Sequence, residues 1–422
     1  MLQVAFIREN KEEVIQKLSI KNFDARERIE SIISLDKKRK KIQAEHDDSL
    51  AKSNKLSKEI GELFKSGNTQ GANIKKTETT HLKEKSKEFS LQLAQTQKKI
   101  FDLLIQIPNT PHVSVPSGIS EEHNKVISEE GEIPNLGEDA KPHWEIVAEK
   151  NIIDFELGVK ITGAGFPVYR GKGARLQRAL INYFLDKNIA AGYEEVMPPH
   201  LVNEASGFGT GNLPDKEGQM YHATEDNLYL IPTAEVPVTN IFRDVIIKKE
   251  DLPIKFTSYT PCFRREAGSY GKDVRGLNRL HQFDKVEIVQ IQHPDDSYQT
   301  LNSMVDHVAQ ILRELGLPFR ILQLCGGDIS FTSALTFDFE VYSAAQEKWL
   351  EVSSVSNFES YQANRLKLRY RDHNNKTKLC HSLNGSSLAL PRIMAALIEN
   401  FQDKKGINIP EVLVPYCGFD KI

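Results

Sequence analysis

The chain has 422 residues, 39% of them apolar and 27% charged, with a net charge of −3. That is apolar material for a real core and two or three domains, with a charge too balanced to coat the whole molecule in nucleic acid. Cys262, Cys325, Cys380 and Cys417 stand far apart with no C-x-x-C pair, and the N-terminus MLQVAFIREN lacks the cationic and apolar segments of a secretory signal; with no apolar run long enough to span a bilayer, the expectation is a cytoplasmic protein without disulfides, cysteine zinc cluster or membrane partner.

Charge is segregated along the chain. Residues 24–100 carry 18 Lys and Arg against 12 Asp and Glu, leaving 37 against 46 elsewhere. From Asp24 to Ile107 there is no proline, cysteine, tryptophan or tyrosine, the composition of long helices. In the second half Leu82, Phe89 and Leu103 share one heptad phase, and Leu93, Ile100 and Ile107 the other, with Ser86 and Thr96 as polar members. The first half is weaker: Leu56, Ile60 and Leu63 are clear, and the basic run Lys37, Lys38, Arg39, Lys40, Lys41 interrupts the pattern. SGNTQGAN at 66–73 supplies a turn. The pattern predicts an antiparallel coiled coil over about 27–104, each helix about 60 Å long, closed by Pro108. By itself such a hairpin is a spacer or dimerisation element with solvated charge, or an arm that tracks phosphates without reading bases.

PNTPHVSVPSG, 108–118, is a proline-rich linker, so the expected organisation is 1–107, the linker, and a body over 119–422. In the body a helix is predicted at about 173–190, with Leu176, Leu180, Tyr183 and Phe184 on one face, ending near Gly192. GYEEVMPPHLV, 192–202, reads as an extended edge segment broken by Pro198 and Pro199. In YLIPTAEVPVTNIF, 229–242, Thr233 fits a helix N-cap with Glu235 in the first turn, or a pair of ligand-facing polar groups.

Next, KFTSYTPCFRRE and LHQFDKVEIVQI read as antiparallel strands joined by a charged, glycine-bearing loop of about a dozen residues. On the second strand His281, Phe283, Lys285 and Glu287 share a face that suits a ligand better than a core, whereas Val286 and Ile288 lie on the other. Phe283 and Glu287 are separated by about 13 Å at ~3.3 Å per residue, roughly the length of an aminoacyl-adenylate. WLEVSSVSNFE places Glu351, Val352, Ser353 and Ser354 at a strand end, as a hard-oxygen site for Mg²⁺ or an ordinary strand–turn boundary. LNGSSLALPRIMAALIENF runs from a turn into an amphipathic helix bearing Arg392, a surface arginine or a ligand for phosphate.

Taken together, these segments resemble the bacterial-type seryl-tRNA synthetases, a subgroup of the class II aminoacyl-tRNA synthetases. The resemblance runs from end to end and rests on the order of IPNTPH, GYEEVMPP, TGNLP, LIPTAEV, FRREAGSYGKDVRGLNRLHQFDKVE, EVSSVSN and LNGSSLALPR. It implies an α+β fold: a class II antiparallel sheet flanked by helices, preceded by the helical arm, and a homodimer formed through GYEEVMPP. It implies ATP-driven formation of seryl-adenylate, then transfer of serine to tRNA(Ser), and to tRNA(Sec) where present. The arm, with Lys37–Lys41, would embrace the tRNA.

Carried onto matching positions, the resemblance gives Arg264 the α-phosphate and the serine carboxylate. Glu266 and Phe283 take the adenine, and Leu280 a backbone contact. Arg279 and Arg392 take the outer phosphates, and Arg265 belongs to the same ATP-binding stretch although alternation turns it away. Glu351 and Ser354 would ligate Mg²⁺, with Val352 and Ser353 lining the nucleotide. Thr233, Glu235 and Glu287 would hold L-serine, assisted by Asn384 and Ser386. Zinc is not expected, because the cysteine and histidine ligands of the divergent archaeal form are not recognisable. Two alternatives differ in kind: a paralogue that loads a carrier protein, expected to lack the arm, and a non-catalytic RNA-binding module, expected to have broken motifs.

Overall fold

The computed structural model describes residues 1–138, 140–215, 217–266 and 275–422. The glycine-bearing part of the charged loop, 267–274, therefore lies outside the described residues. The chain forms two compact units, Met1–Ser19 with Phe23–Pro108, and Ile20–Asn22 with Asn109–Ile422.

The first unit contains α1 (Val4–Glu9), most of α2 (Lys11–Ile20), and the long helices α3 (Arg26–Lys65) and α4 (Thr69–Leu104). The turn falls at 66–68, where the Asn68 side chain caps α4 by accepting from the Gly71 N–H at 2.9 Å. Along α4 the two heptad rows face inward: Ala72, Thr79, Ser86, Leu93, Ile100 and, just beyond its end, Ile107 in one, Leu82, Phe89, Thr96 and Leu103 in the other. Thr79 and Thr96 are buried without an unmet donor, since each hydroxyl bonds back to the carbonyl four residues earlier. Along α3 the seam holds a carboxylate. Asp36 is 2% exposed and is met by Arg8 at 2.9 Å, Arg39 at 2.7 Å and Lys40 at 3.4 Å. The basic run thus divides: Arg39 and the exposed Lys40 neutralise Asp36, whereas Lys37, Lys38 and Lys41, also exposed, face away from it. That division explains why the hydrophobic pattern fails here: the seam position is filled by an ion cluster.

The second unit is built on an eight-stranded sheet with strands β1 (Lys125–Glu130), β2 (Glu194–Glu195), β3 (Ile254–Phe263), β4 (Gln282–Gln292), β5 (Phe319–Gln323), β6 (Leu335–Ser343), β7 (Lys348–Asn357) and β8 (His381–Ala389). Their order is β1-β5-β6-β7-β8-β4-β3-β2, and every pairing is antiparallel except the short edge contact of β2 with β3. The relevant helices are α5 (His143–Glu149), α6 (Gly171–Ala190), α7 (Glu235–Asn240), α8 (Ser297–Leu315) and α9 (Leu390–Asn400).

α6, α8 and α9 pack on the sheet, and one apolar core joins them to it. Leu176, Leu180, Tyr183 and Phe184, the predicted face of α6, are all in that core. Strand alternation sends Val286 and Ile288 of β4 into it, and leaves Lys285, Glu287 and Val289 for the opposite face, where α7 lies. One face of the sheet is thereby committed to burial and the other to polar groups. The predicted strand over 280–291 begins at Gln282, and the connection from β3 is 18 residues, longer than expected from the sequence.

Candidate active site

The strongest polar cluster is built on the α7 side of β4. Lys285 Nζ lies 2.6 Å from Glu287 Oε2 and donates to Thr233 Oγ1 at 2.9 Å. Thr233 donates in turn to Glu287 Oε2 at 3.2 Å and accepts from the Glu235 N–H at 3.2 Å. Lys285 is 6% exposed and Glu287 3%, so the charges are held by each other and not by water. The N-cap position of α7 is Ala234, and the Thr233 hydroxyl serves both the first N–H of the helix and the cluster.

Glu235 points into the same cluster from the first turn of α7. Gln362 Nε2 donates to its Oε1 at 2.6 Å. Burial, reinforced by the charge on Glu287, pushes its carboxyl up to about 7, against the bonds from Gln362 and Asn384 and the charge on Lys285. Ser386 lies opposite Glu287 in the β4–β8 register and Asn384 opposite Val289, so strand pairing brings both residues to this face. Thr233, Glu235, Glu287, Asn384 and Ser386 are thus brought together. Lys285 and Gln362 join them and were missed as site residues. Lys285 was readable in principle, since it shares the period-two face of Phe283 and Glu287; Gln362 arrives from a distant helix and left no local signal.

Toward the charged loop, the Arg264 guanidinium stacks on Phe283 at 5.3 Å and donates from Nε to the Pro232 carbonyl at 3.3 Å. Arg265 turns away and lies over Tyr221 at 5.6 Å, which removes its side chain from the cluster that Arg264 faces. Glu266, at φ 47°, meets Arg279 at 2.9 Å. The side chains of Leu280 and Val352 are in the apolar core, leaving only their backbones for a ligand.

Glu351 and Ser354 lie inside β7 rather than at its end. Three residues apart, they would face opposite sides of a regular strand. A bulge between β6 and β7 corrects this: Phe339 pairs with Ser353 and Glu340 with Glu351, so Val352 is the extra residue. Arg392 Nη1 donates to the Glu351 carbonyl at 2.6 Å and lies 3.3 Å from its carboxylate. Opposite Ser354 stands Asp338, whose Oδ1 is buried without a partner among the described atoms. Burial and the nearby Glu351 charge hold its carboxyl well above the usual range. Ser353 is turned inward, donating to the Ser386 carbonyl at 2.5 Å. Among the described residues no three His, Cys, Asp or Glu side chains converge as a self-sufficient metal cage.

An antiparallel sheet with arginines at one end of a strand pair and a buried cluster of hydroxyl and carboxylate groups at the other is the arrangement of a class II aminoacyl-tRNA synthetase core. Residues 219–401 match the family described as the tRNA synthetase class II core domain for G, H, P, S and T. Residues 1–111 match the seryl-tRNA synthetase N-terminal domain.

The serine–tRNA ligase of Salinibacter ruber is 46% identical over 424 aligned positions, covering 100% of this chain and 99% of that protein. The seryl-tRNA synthetase of Pyrococcus horikoshii, solved with ATP, superposes with a TM-score of 0.93 at 31% identity, covering 100% of this chain and 99% of the other. The cytoplasmic enzyme of Naegleria fowleri, solved with AMP, gives a TM-score of 0.88 at 25% identity, covering 100% and 98%. The chain belongs to the seryl-tRNA synthetase family.

Proposed function

We propose that the site catalyses serine activation by ATP and then transfers serine to tRNA(Ser), with the residue roles given by the sequence. The observation that carries this reading is the Thr233–Glu235–Lys285–Glu287 cluster: buried hydroxyl, ammonium and carboxylate groups of the kind that meet a small polar substrate, with Arg264 beyond them on the same side of β4. In the first step a serine carboxylate oxygen attacks the α-phosphorus as the bond to pyrophosphate breaks. The nucleophile is already ionised, so no general base is needed, and rate comes from alignment and from arginines placed where charge develops. In the second step a 3′-terminal ribose hydroxyl attacks the seryl carbonyl carbon and AMP leaves.

Arg264 bridges the two reactants, Phe283 and Glu266 hold the adenine, and Arg279 and Arg392 hold the outer phosphates. Glu287, paired with Lys285, accepts from the substrate hydroxyl, while Thr233 and Glu235 meet its ammonium. An alanine in the pocket would leave Glu287 with an unmet acceptor, a discrimination that reaches about 10⁴–10⁵ in sites of this kind.

Mg²⁺ fits the Glu351–Ser354 edge: hard oxygen donors with the unpartnered Asp338 oxygen close by, too few to cage an ion without phosphate oxygens. When bound, the ion would neutralise phosphate charge. The homodimer reading is supported by Met197, 85% exposed beside the edge strand β2 in GYEEVMPP. Exposed Lys37, Lys38 and Lys41 suit the arm to tRNA phosphates, including those of tRNA(Sec). The boundaries near 107 and 118, and residence in the cytoplasm, complete the reading.

The test is ATP–pyrophosphate exchange with serine, threonine or alanine in the absence of tRNA. Exchange with serine alone is expected; its absence from folded protein with all three would refute the reading.

A further inference from the structure

A second buried network, behind the nucleotide end of the site, reaches the arginines assigned to ATP without touching any substrate position. His143, at the start of α5, and Glu399, near the end of α9, are both 0% exposed. Glu399 Oε1 accepts from the His143 N–H at 2.8 Å, from its Nδ1 at 2.6 Å, and from Gln346 Nε2 at 2.8 Å. The Ser343 hydroxyl donates to the other carboxylate oxygen.

The far side of the imidazole fixes the tautomer. His143 Nε2 lies 2.8 Å from the backbone nitrogen of Leu277. That N–H can only donate, so Nε2 is the acceptor and the ring proton sits on Nδ1, facing Glu399. The approach is close enough to dictate the neighbouring residue: at Gly276, φ 68°, a Cβ would fall 2.2 Å from Nε2. Gln346 repeats the connection one residue on, its Oε1 accepting from Asn278 Nδ2 at 3.0 Å. The Asn278 carbonyl then accepts from Arg392 Nε at 3.1 Å. The Leu277–Asn278 segment, immediately before Arg279, is thus tied by two side chains to a single saturated carboxylate, and it holds Arg392 directly.

We propose that the buried His143–Glu399 pair, with Gln346, is a positioning device that sets Arg279 and Arg392 for the phosphates of ATP. The inference rests on the nucleotide roles of those arginines. An apolar pair of equal volume would fill the same space at no desolvation cost. What the polar pair adds is a direction for the backbone at 277 and 278, and through it for two guanidinium groups that must meet charge in a defined geometry.

The experiment compares His143→Asn with His143→Gln in the full chain. Asn keeps a donor where Nδ1 lies and cannot reach Leu277; Gln places an acceptor where Nε2 lies. With serine-dependent exchange as the assay, His143→Asn is expected to raise the KM for ATP roughly tenfold with the KM for serine changed less than about threefold, and His143→Gln to recover most of the loss. Equal loss of both KM values, or His143→Gln no better than His143→Asn, would overturn the proposal. Should His143→Asn fail to fold, Gln346→Ala, a half-buried change outside the core, is expected to raise the KM for ATP several-fold and spare serine; an unchanged KM for ATP there would also overturn it. Absence of exchange in the unsubstituted enzyme would instead refute the functional reading on which the inference stands.

Discussion

Glu235→Gln separates stability from substrate binding at one atom pair. The carboxyl of Glu235 is raised from 4.5 to about 7, so the folded protein binds a proton there more tightly than the unfolded chain. The sign follows: this group's contribution to stability is greatest below about pH 4.5, falls as pH rises toward 7, and is then fully lost. At about 1.4 kcal/mol per unit, the loss is of the order of 3 kcal/mol, an upper bound because the residue keeps some access to water.

Gln reproduces the neutral acid in shape. The variant is therefore expected to match the parent in stability at pH 5 and to exceed it by about 1–3 kcal/mol at pH 8, read from urea unfolding at both values. Serine binding moves the other way. In the parent the KM for serine should rise as pH falls below about 7, by up to tenfold per unit, because only the carboxylate pairs with the ammonium. Glu235→Gln should show a high KM with that pH dependence flattened. Parallel stability profiles for the two proteins between pH 5 and 8 would refute the burial argument, and an unchanged KM for serine would refute the role.

Lys285→Met strands Glu287 beside Glu235, and should cost about 3–5 kcal/mol in urea unfolding at pH 8, with much of that recovered in the double variant Lys285→Met/Glu287→Gln; additive losses would contradict the coupling. Removing residues 30–100 should leave serine-dependent exchange within about twofold and abolish tRNA charging, so normal charging by the truncated protein would contradict the arm's role. Ser354→Ala should raise the Mg²⁺ concentration needed for half-maximal exchange several-fold without altering the KM for serine, and an unshifted Mg²⁺ titration would remove Ser354 from the ion's shell.

Where local periodicity carried the information, the sequence was sufficient. The heptad rows of α4, the buried face of α6 and the inward set of β4 follow from spacing, because each is a property of one element. Residues whose meaning depends on another element were harder. The basic run 37–41 read as solvated charge, yet the neighbouring Asp36 is buried because Arg8 reaches it from α1. Glu351 and Ser354 looked like a strand end because a bulge of one extra residue, Val352, has no signature in one strand. Lys285 was assigned to the right face and not to the site, since nothing in its own strand says that Thr233 and Glu287 will close around it. His143 and Glu399 lie 256 positions apart, and no pattern within either helix announces the other.

The ion cluster in the arm has a mechanical consequence. α3 and α4 extend about 50–60 Å as nearly uninterrupted helices, so a small rotation near their base becomes a large sweep at the tip. A tilt of about 5° would carry the turn at 66–68 through roughly 5 Å over that length. Asp36 sits near the base, where Arg8 from α1 meets it together with Arg39 and Lys40. A charge-assisted clamp there, unlike a greasy contact, has one register and resists sliding. It fixes α1 against α3 in one register at the base of the hairpin, at the expense of some seam hydrophobicity.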